Sequence, residues 1–109
     1  MRLMNEAEFS QHVEATLLQL EAAIDCCGVD VDIDNADGIL TLTFTNGSKI
    51  ILNRQAAVKQ LWVAAREGGF HFNYDDAQQC WRNDKDGMEL LTALNGYCTK
   101  QSGESIQLR

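Results

Sequence analysis

Carboxylates are the residues of this chain best placed to do chemistry. Residues 1–37 hold nine of them (Glu6, Glu8, Glu14, Glu21, Asp25, Asp30, Asp32, Asp34 and Asp37) against one base, Arg2, a local charge of −8. Residues 38–109 hold seven acids and eight bases, a local charge of +1. On a helix advancing about 100° per residue, Glu14, Glu21 and Asp25 fall within a stripe roughly 40° wide, about 100° around from the apolar face. Asp30, Asp32 and Asp34 alternate with Val29, Val31 and Ile33, so on a strand they would share one face. No Lys or Arg interrupts either set. Like charges at helical neighbour spacing, such as Glu21 and Asp25, cost roughly 0.2–0.5 kcal/mol per pair. A solvated, solubilising face accounts for charge alone; a cation or a basic protein partner would also offset the repulsion. Open carboxylate sites suit hard divalent metals, select poorly among them and leave much of the ion's water in place. Glu14, Glu21, Asp25, Asp30, Asp32 and Asp34 are therefore the candidate ligands for a weakly bound divalent cation, Mn²⁺ and Co²⁺ among them.

Other chemistries find less support. Asp30-x-Asp32-x-Asp34 looks like the start of a calcium loop. Such a loop needs Gly at position 35 and Glu at 41, where Asn35 and Thr41 stand. The cysteines Cys26, Cys27, Cys80 and Cys98 form no C-x-x-C pair, which speaks against a zinc site or a disulfide framework and for reduced thiols. His12 and His71 are single histidines, read as polar surface. No nucleophile–base set and no glycine-rich phosphate loop is visible, so no catalytic residue is assigned. Trp81 reads as core.

The elements that must position these residues follow from periodicity. Phe9, Val13, Leu17, Leu20 and Ile24 make one face of a helix over residues 5–26, ended by Gly28. Val29–Asp34 reads as a strand, Asn35–Gly38 as a turn and Ile39–Phe44 as a second strand. At Asn46-Gly47 a three-residue loop, Thr45 to Gly47 with Gly47 left-handed, pairs Leu42 with Ile50 and Leu40 with Leu52, keeping one face apolar. Asn53 and Gln55 then point to the other face. Residues 56–67 are in conflict: propensity favours a helix stopped by Gly68, while Leu61, Val63 and Ala65 fit one face of a strand, which would leave Trp62 outside beside Asn53 and Gln55. An exposed Trp there would be an interaction anchor. Gly68-Gly69 reads as a turn. Phe70–Tyr74 alternates, with His71 and Asn73 opposite the aromatics, and Gln79–Arg82 reads as a short strand. Asp86 with Glu89 reads as the cap of a second helix, with Leu90, Leu91, Leu94, Tyr97 and Cys98 as its apolar face and Gly103 as its stop. Ile106 and Leu108 read as a last strand. The order α, several β, α, β predicts an α+β two-layer sandwich, two helices on one face of an antiparallel sheet.

The bulk numbers agree. A chain of 109 residues with 45% apolar content and net charge −7 is expected to form one domain. Its acidity disfavours nucleic acid. No stretch approaches the roughly 20 apolar residues of a membrane span. Met1 to Ser10 lacks the pattern of a signal or transit peptide, so a cytoplasmic location is expected.

Three stretches carry a resemblance: Asn46-Gly47-Ser48-Lys49-Ile50-Ile51-Leu52-Asn53-Arg54-Gln55, then Leu61-Trp62-Val63-Ala64, then Gly68-Gly69-Phe70-His71-Phe72. Together with Met4-Asn5-x-x-Glu8-Phe9 and Gly103-Glu104-Ser105-Ile106-x-Leu108-Arg109, they resemble bacterial frataxins over Met4 to Arg109, making Met1–Leu3 an extension of a single 1–109 domain. The resemblance implies a strand over 58–66 against local propensity. It implies weak iron binding by the acidic ridge, and regulation or iron supply in iron–sulfur cluster assembly through a cysteine desulfurase and its scaffold protein. It matches Asn53, Gln55 and Trp62 to a partner-binding sheet surface, and Glu21, Asp25, Asp32 and Asp34 to the ridge. A monomer is expected. Ala22 and Cys26 stand where relatives carry acids, which thins the ridge, and Ala56-Ala57 replace a common proline. An iron-oxidising ferroxidase and an acidic adaptor without metal are the competing functions; a ferroxidase would need a defined multi-ligand site.

Overall fold

The computed structural model describes residues 4–108; Met1–Leu3, expected from the sequence to be an extension, and Arg109 lie outside the described residues. Helix α1 spans Glu6–Asp25 and starts on a reciprocal cap: the Asn5 side chain accepts from the Glu8 N–H at 2.8 Å, and the Glu8 carboxylate accepts from the Asn5 N–H at 3.2 Å. Asn-x-x-Glu is the spacing of a reciprocal cap. The apolar stripe Phe9, Val13, Leu17, Leu20 and Ile24 is buried as its spacing predicts.

Six strands follow: β1 Val31–Ala36, β2 Ile39–Phe44, β3 Lys49–Gln55, β4 Gln60–Ala65, β5 Gly68–Asp75 and β6 Cys80–Asn83. Each pairs antiparallel with the next, in the order β1-β2-β3-β4-β5-β6. Strand β1 begins two residues later than the alternation suggests and ends at Ala36. The reason is the turn. Asp37 and Gly38 take φ of 55° and 75°, the two-residue hairpin in which both central residues are left-handed, so Asn35 and Ala36 join the ladder. Asp30 therefore precedes the strand. The β2–β3 register is the expected one: Leu42 opposes Ile50, Leu40 opposes Leu52, and Gly47 has φ 85°.

Residues 56–67 are not helical. Ala56–Lys59 make a loop closed by left-handed Lys59 (φ 51°), and Gln60–Ala65 is a strand. Burial outweighs propensity: Leu61 and Val63 are buried against the helix layer, an arrangement that two-residue spacing supplies and a helix would not. Gly68-Gly69 is not the turn; Arg66-Glu67 turns, and the glycines open β5. Helix α2 spans Leu90–Ser102 with Glu89, not Asp86, at its N-cap. Asp86 instead accepts from the Met88 N–H at 2.8 Å, holding the turn before it. Gly103 ends α2 at φ 75°. Ile106 and Leu108 are buried but form no strand: the Thr99 hydroxyl and Asn95 amide oxygen accept from their N–H groups, so helix side chains replace a ladder.

Both helices cover one sheet face. Thr16 of α1 accepts from the Trp81 indole at 2.8 Å, and Tyr97 of α2 stacks on Phe70 at 4.7 Å. The core between the layers includes Leu40, Leu52, Leu61, Phe72 and Leu94, all buried. This two-layer α+β arrangement is the architecture expected from the sequence, without its final strand.

Candidate functional site

The acids sit where α1 meets the β1 edge. Glu14 and Asp25 are exposed on α1, and Glu21 is half-buried. Asp30, Asp32 and Asp34 are exposed, the last two on the sheet face away from the helices because Val31 and Ile33 turn toward the core. Asn35 donates to the Glu21 carboxylate at 3.4 Å, tying helix to strand edge. The six candidates thus occupy one margin of the molecule, yet among the described residues no three His, Cys, Asp or Glu side chains are grouped to hold a metal ion. Such a surface can attract a cation electrostatically and ligate it through one or two carboxylates with retained water.

The open sheet face carries the second candidate group. Asn53 lies directly opposite Trp62, and Trp62 directly opposite His71, on three adjacent strands. The Trp62 and His71 rings stack at 4.4 Å with planes 17° apart. The Trp62 indole donates to the Gln60 side-chain amide oxygen at 2.8 Å, and the Gln60 amide nitrogen donates to the Asn73 side-chain oxygen at 3.1 Å. Gln55 opposes Gln60, so it lies on the same face, diagonal to Trp62. Asn53, Gln55 and Trp62 are all partly exposed. The β2–β3 register expected from the sequence places Asn53 and Gln55 on this face, the strand alternative for residues 58–66 places Trp62 beside them, and the sequence reads His71 only as polar surface. The alternation put His71 on this face, but only the cross-strand register makes it the platform for Trp62.

The structure also revises the reading of the other titratable groups. His12 is not free surface: it stacks on Tyr74 at 3.9 Å and lines a cavity of about 150 Å³ with Thr16, Cys80, Trp81 and Glu89. Burial first, then the neighbouring Asp76, raises the Tyr74 phenol above its ordinary 10.0. The four cysteines are free. Cys98 is buried, and desolvation pushes its thiol up to about 12. Cys26 is exposed at the end of α1. Arg54, within the Asn-Arg-Gln run, points to the helix side and donates to the Ser10 hydroxyl at 3.1 Å. A Cβ on Gly38 would lie 2.8 Å from the Arg54 Nε, so that turn needs glycine for its φ and for this close approach.

A family model, the frataxin-like domain, matches residues 2–104. The chain belongs to the frataxin family. This frataxin is 48% identical over 104 residues to the "Iron-sulfur cluster assembly protein CyaY" of Pseudomonas aeruginosa, covering 95% of this chain and 96% of that protein. It is 45% identical over 105 residues to the protein of the same name from Tolumonas auensis, covering 96% and 99%. Among solved structures, the frataxin of Psychromonas ingrahamii superposes with a TM-score of 0.89 at 38% identity, covering 97% of this chain and 99% of that one. Trimeric yeast frataxin superposes at 0.59 with 23% identity, a likeness of fold.

Proposed function

We propose that this frataxin works in iron–sulfur cluster assembly as a binding protein with two surfaces. The acidic margin of Glu14, Glu21, Asp25, Asp30, Asp32 and Asp34 takes Fe²⁺ weakly, as cargo, and steers a basic cysteine desulfurase. The open face bearing Asn53, Gln55 and Trp62 engages the scaffold protein. The setting is the cytoplasm, and the working unit is a monomer. Relatives of matching length named for iron–sulfur cluster assembly support the process. The observation that carries the division of labour is the segregation itself: a margin without a Lys or Arg between Arg2 and Lys49, beside a sheet face centred on a stacked Trp–His pair. Charge of one sign speeds encounter with an opposite surface, and a partly exposed Trp supplies contact area once docked.

A second reading, an acidic adaptor without metal, draws support from the acids being strung along the margin rather than gathered. A ferroxidase would need them gathered. Anaerobic titration with Fe²⁺ followed by amide NMR separates these readings. The proposal expects broadening confined to α1 and β1 around the six acids, saturating only at high metal. Broadening centred on Cys80 and Cys98 overturns the metal assignment, and no broadening leaves the adaptor. Oxygen consumption on Fe²⁺ addition would argue for the ferroxidase.

A further inference from the structure

The two edges of the sheet are treated differently. Strand β6 is four residues long and partly covered: the Asn83 N–H donates to the Met88 carbonyl at 2.9 Å, and Arg82 bridges to Glu89. Strand β1 is six residues long, and among the described residues nothing pairs with its outer side. The hairpin geometry says which groups are left over. In a two-residue loop the flanking pair, Ala36 and Ile39, is hydrogen-bonded, and bonded pairs then alternate. Asp34–Thr41 and Asp32–Thr43 follow as bonded pairs, so the N–H and C=O groups of Val31, Ile33 and Asn35 face outward. An independent observation agrees: Phe44, opposite Val31, spends its N–H on Ser48 at 2.9 Å, on the β3 side.

Natural edges are commonly blunted by Lys, Pro, a bulge or shortness. Here the only device is charge of one sign. A second copy laid antiparallel along β1 would set aspartates against aspartates, which disfavours self-pairing. The same charge leaves the edge open to its complement. A strand added here would show alternate side chains to the two sides of the sheet, and both sides of this edge are acidic: Asp32 and Asp34 on the open face, Glu21 and Asp25 on the helix side, with Glu21 reaching Asn35 of β1.

We propose that β1 is a strand-addition site for an extended, Lys/Arg-bearing segment of a partner protein, which pairs its backbone with Val31, Ile33 and Asn35. This rests on reading the acidic margin as a docking surface, and it adds that the backbone takes part in the docking. The partner segment carries basic residues on both of its faces, spaced for a strand and not for a helix.

Amide hydrogen exchange on the full chain tests this, with a synthetic peptide of Lys-Lys-Thr-Thr repeats flanked by Val, which as a strand carries Lys on both faces, as the probe. A peptide of equal charge built to form a helix is the control. With the extended peptide, exchange at Val31, Ile33 and Asn35 is expected to slow at least tenfold, while Asp32 and Asp34, already bonded to β2, change little. Asn35→Pro removes one outward N–H together with the side-chain bond to Glu21, and Asn35→Ala removes that bond alone; the Pro variant is expected to bind the extended peptide at least fivefold more weakly than the Ala variant, while thermal unfolding of both stays cooperative. Equal protection by the helical peptide, binding without protection of the alternate amides, or no binding of the extended peptide overturns the proposal. So does protection that grows with protein concentration alone, which would mean a second copy. The same exchange experiment with the cysteine desulfurase separates the two readings. Binding without protection at these amides sinks strand addition and leaves the docking surface standing. Failure of the desulfurase to bind at all sinks the docking surface.

Discussion

Trp62 is only partly exposed because His71 covers one of its faces, and this sets what its removal does. Trp62→Ala loses a stacked pair and one hydrogen bond on an open face, so stability should fall by about 1 kcal/mol, near the range for an aromatic pair. A core aromatic would cost roughly 3–5 kcal/mol. Binding to the scaffold protein should weaken by about 2 kcal/mol or more, as for an interface anchor. Thermal unfolding and calorimetric titration of this one variant read both numbers; a core-sized loss of stability with unchanged binding would exclude the open face as a docking surface. Asn53 and Gln55 were legible because period-two alternation and one turn fix their face; Trp62 joined them only through the strand that the family resemblance implied for its segment. His12 and Arg54 were not. Their surroundings come from Tyr74 and Ser10, 62 and 44 residues away, and no local spacing encodes such meetings. Gln101 was hidden for the same reason. It is buried, accepts from the Arg66 N–H at 2.8 Å and donates to the Lys49 carbonyl at 3.0 Å, stitching α2 to two hairpin regions.

At the scale of elements, the β5–β6 pair is clasped by Arg82, which donates to Asp75 at 2.9 Å. That bond, with the Gln78 and Ala77 N–H groups, holds the Asp75 carboxyl below its ordinary 3.8. A carboxyl lowered in the folded state binds its proton more readily when unfolded. Its contribution to stability is therefore full above pH 3.8 and disappears as pH falls through the lowered folded value. Arg82→Ala should lower the melting temperature at neutral pH, and the gap from the parent should narrow as pH drops below 3.8. A gap independent of pH would assign the loss to packing. Elements with strong periodicity, α1 and β2 above all, were readable. Residues 60–65 were not, because Ala, Leu and Gln favour a helix locally and only the sheet beside them makes the strand pay off. The start of β1 was misread because Asp37-Gly38 forms a tighter turn than the polar run from Asn35 suggests.

For the whole molecule, the uneven charge is the dominant long-range feature. Exposed charges are largely screened beyond about 8 Å at physiological ionic strength, so the acids of α1 and the β1 edge act on a partner protein only as it comes close to that margin. Replacing Asp25, Asp32 and Asp34 with Asn should slow association with a basic desulfurase and flatten its salt dependence, leaving the melting temperature no lower than the parent's. Stopped-flow rates across a salt series check this; rates unchanged by the substitutions would remove electrostatic steering. One further feature bears on how the molecule comes into being. The sheet is a plain meander, but its helix cover comes from the two ends of the chain. During synthesis each new strand finds its partner in the strand just made, and α1 is already waiting for the sheet. The apolar ground reserved for Leu90, Leu91, Leu94 and Cys98 stays wet until the last twenty or so residues leave the ribosome. The C-terminal helix is thus the closing move of folding, and a chain cut short before it would expose apolar sheet that the finished protein keeps dry.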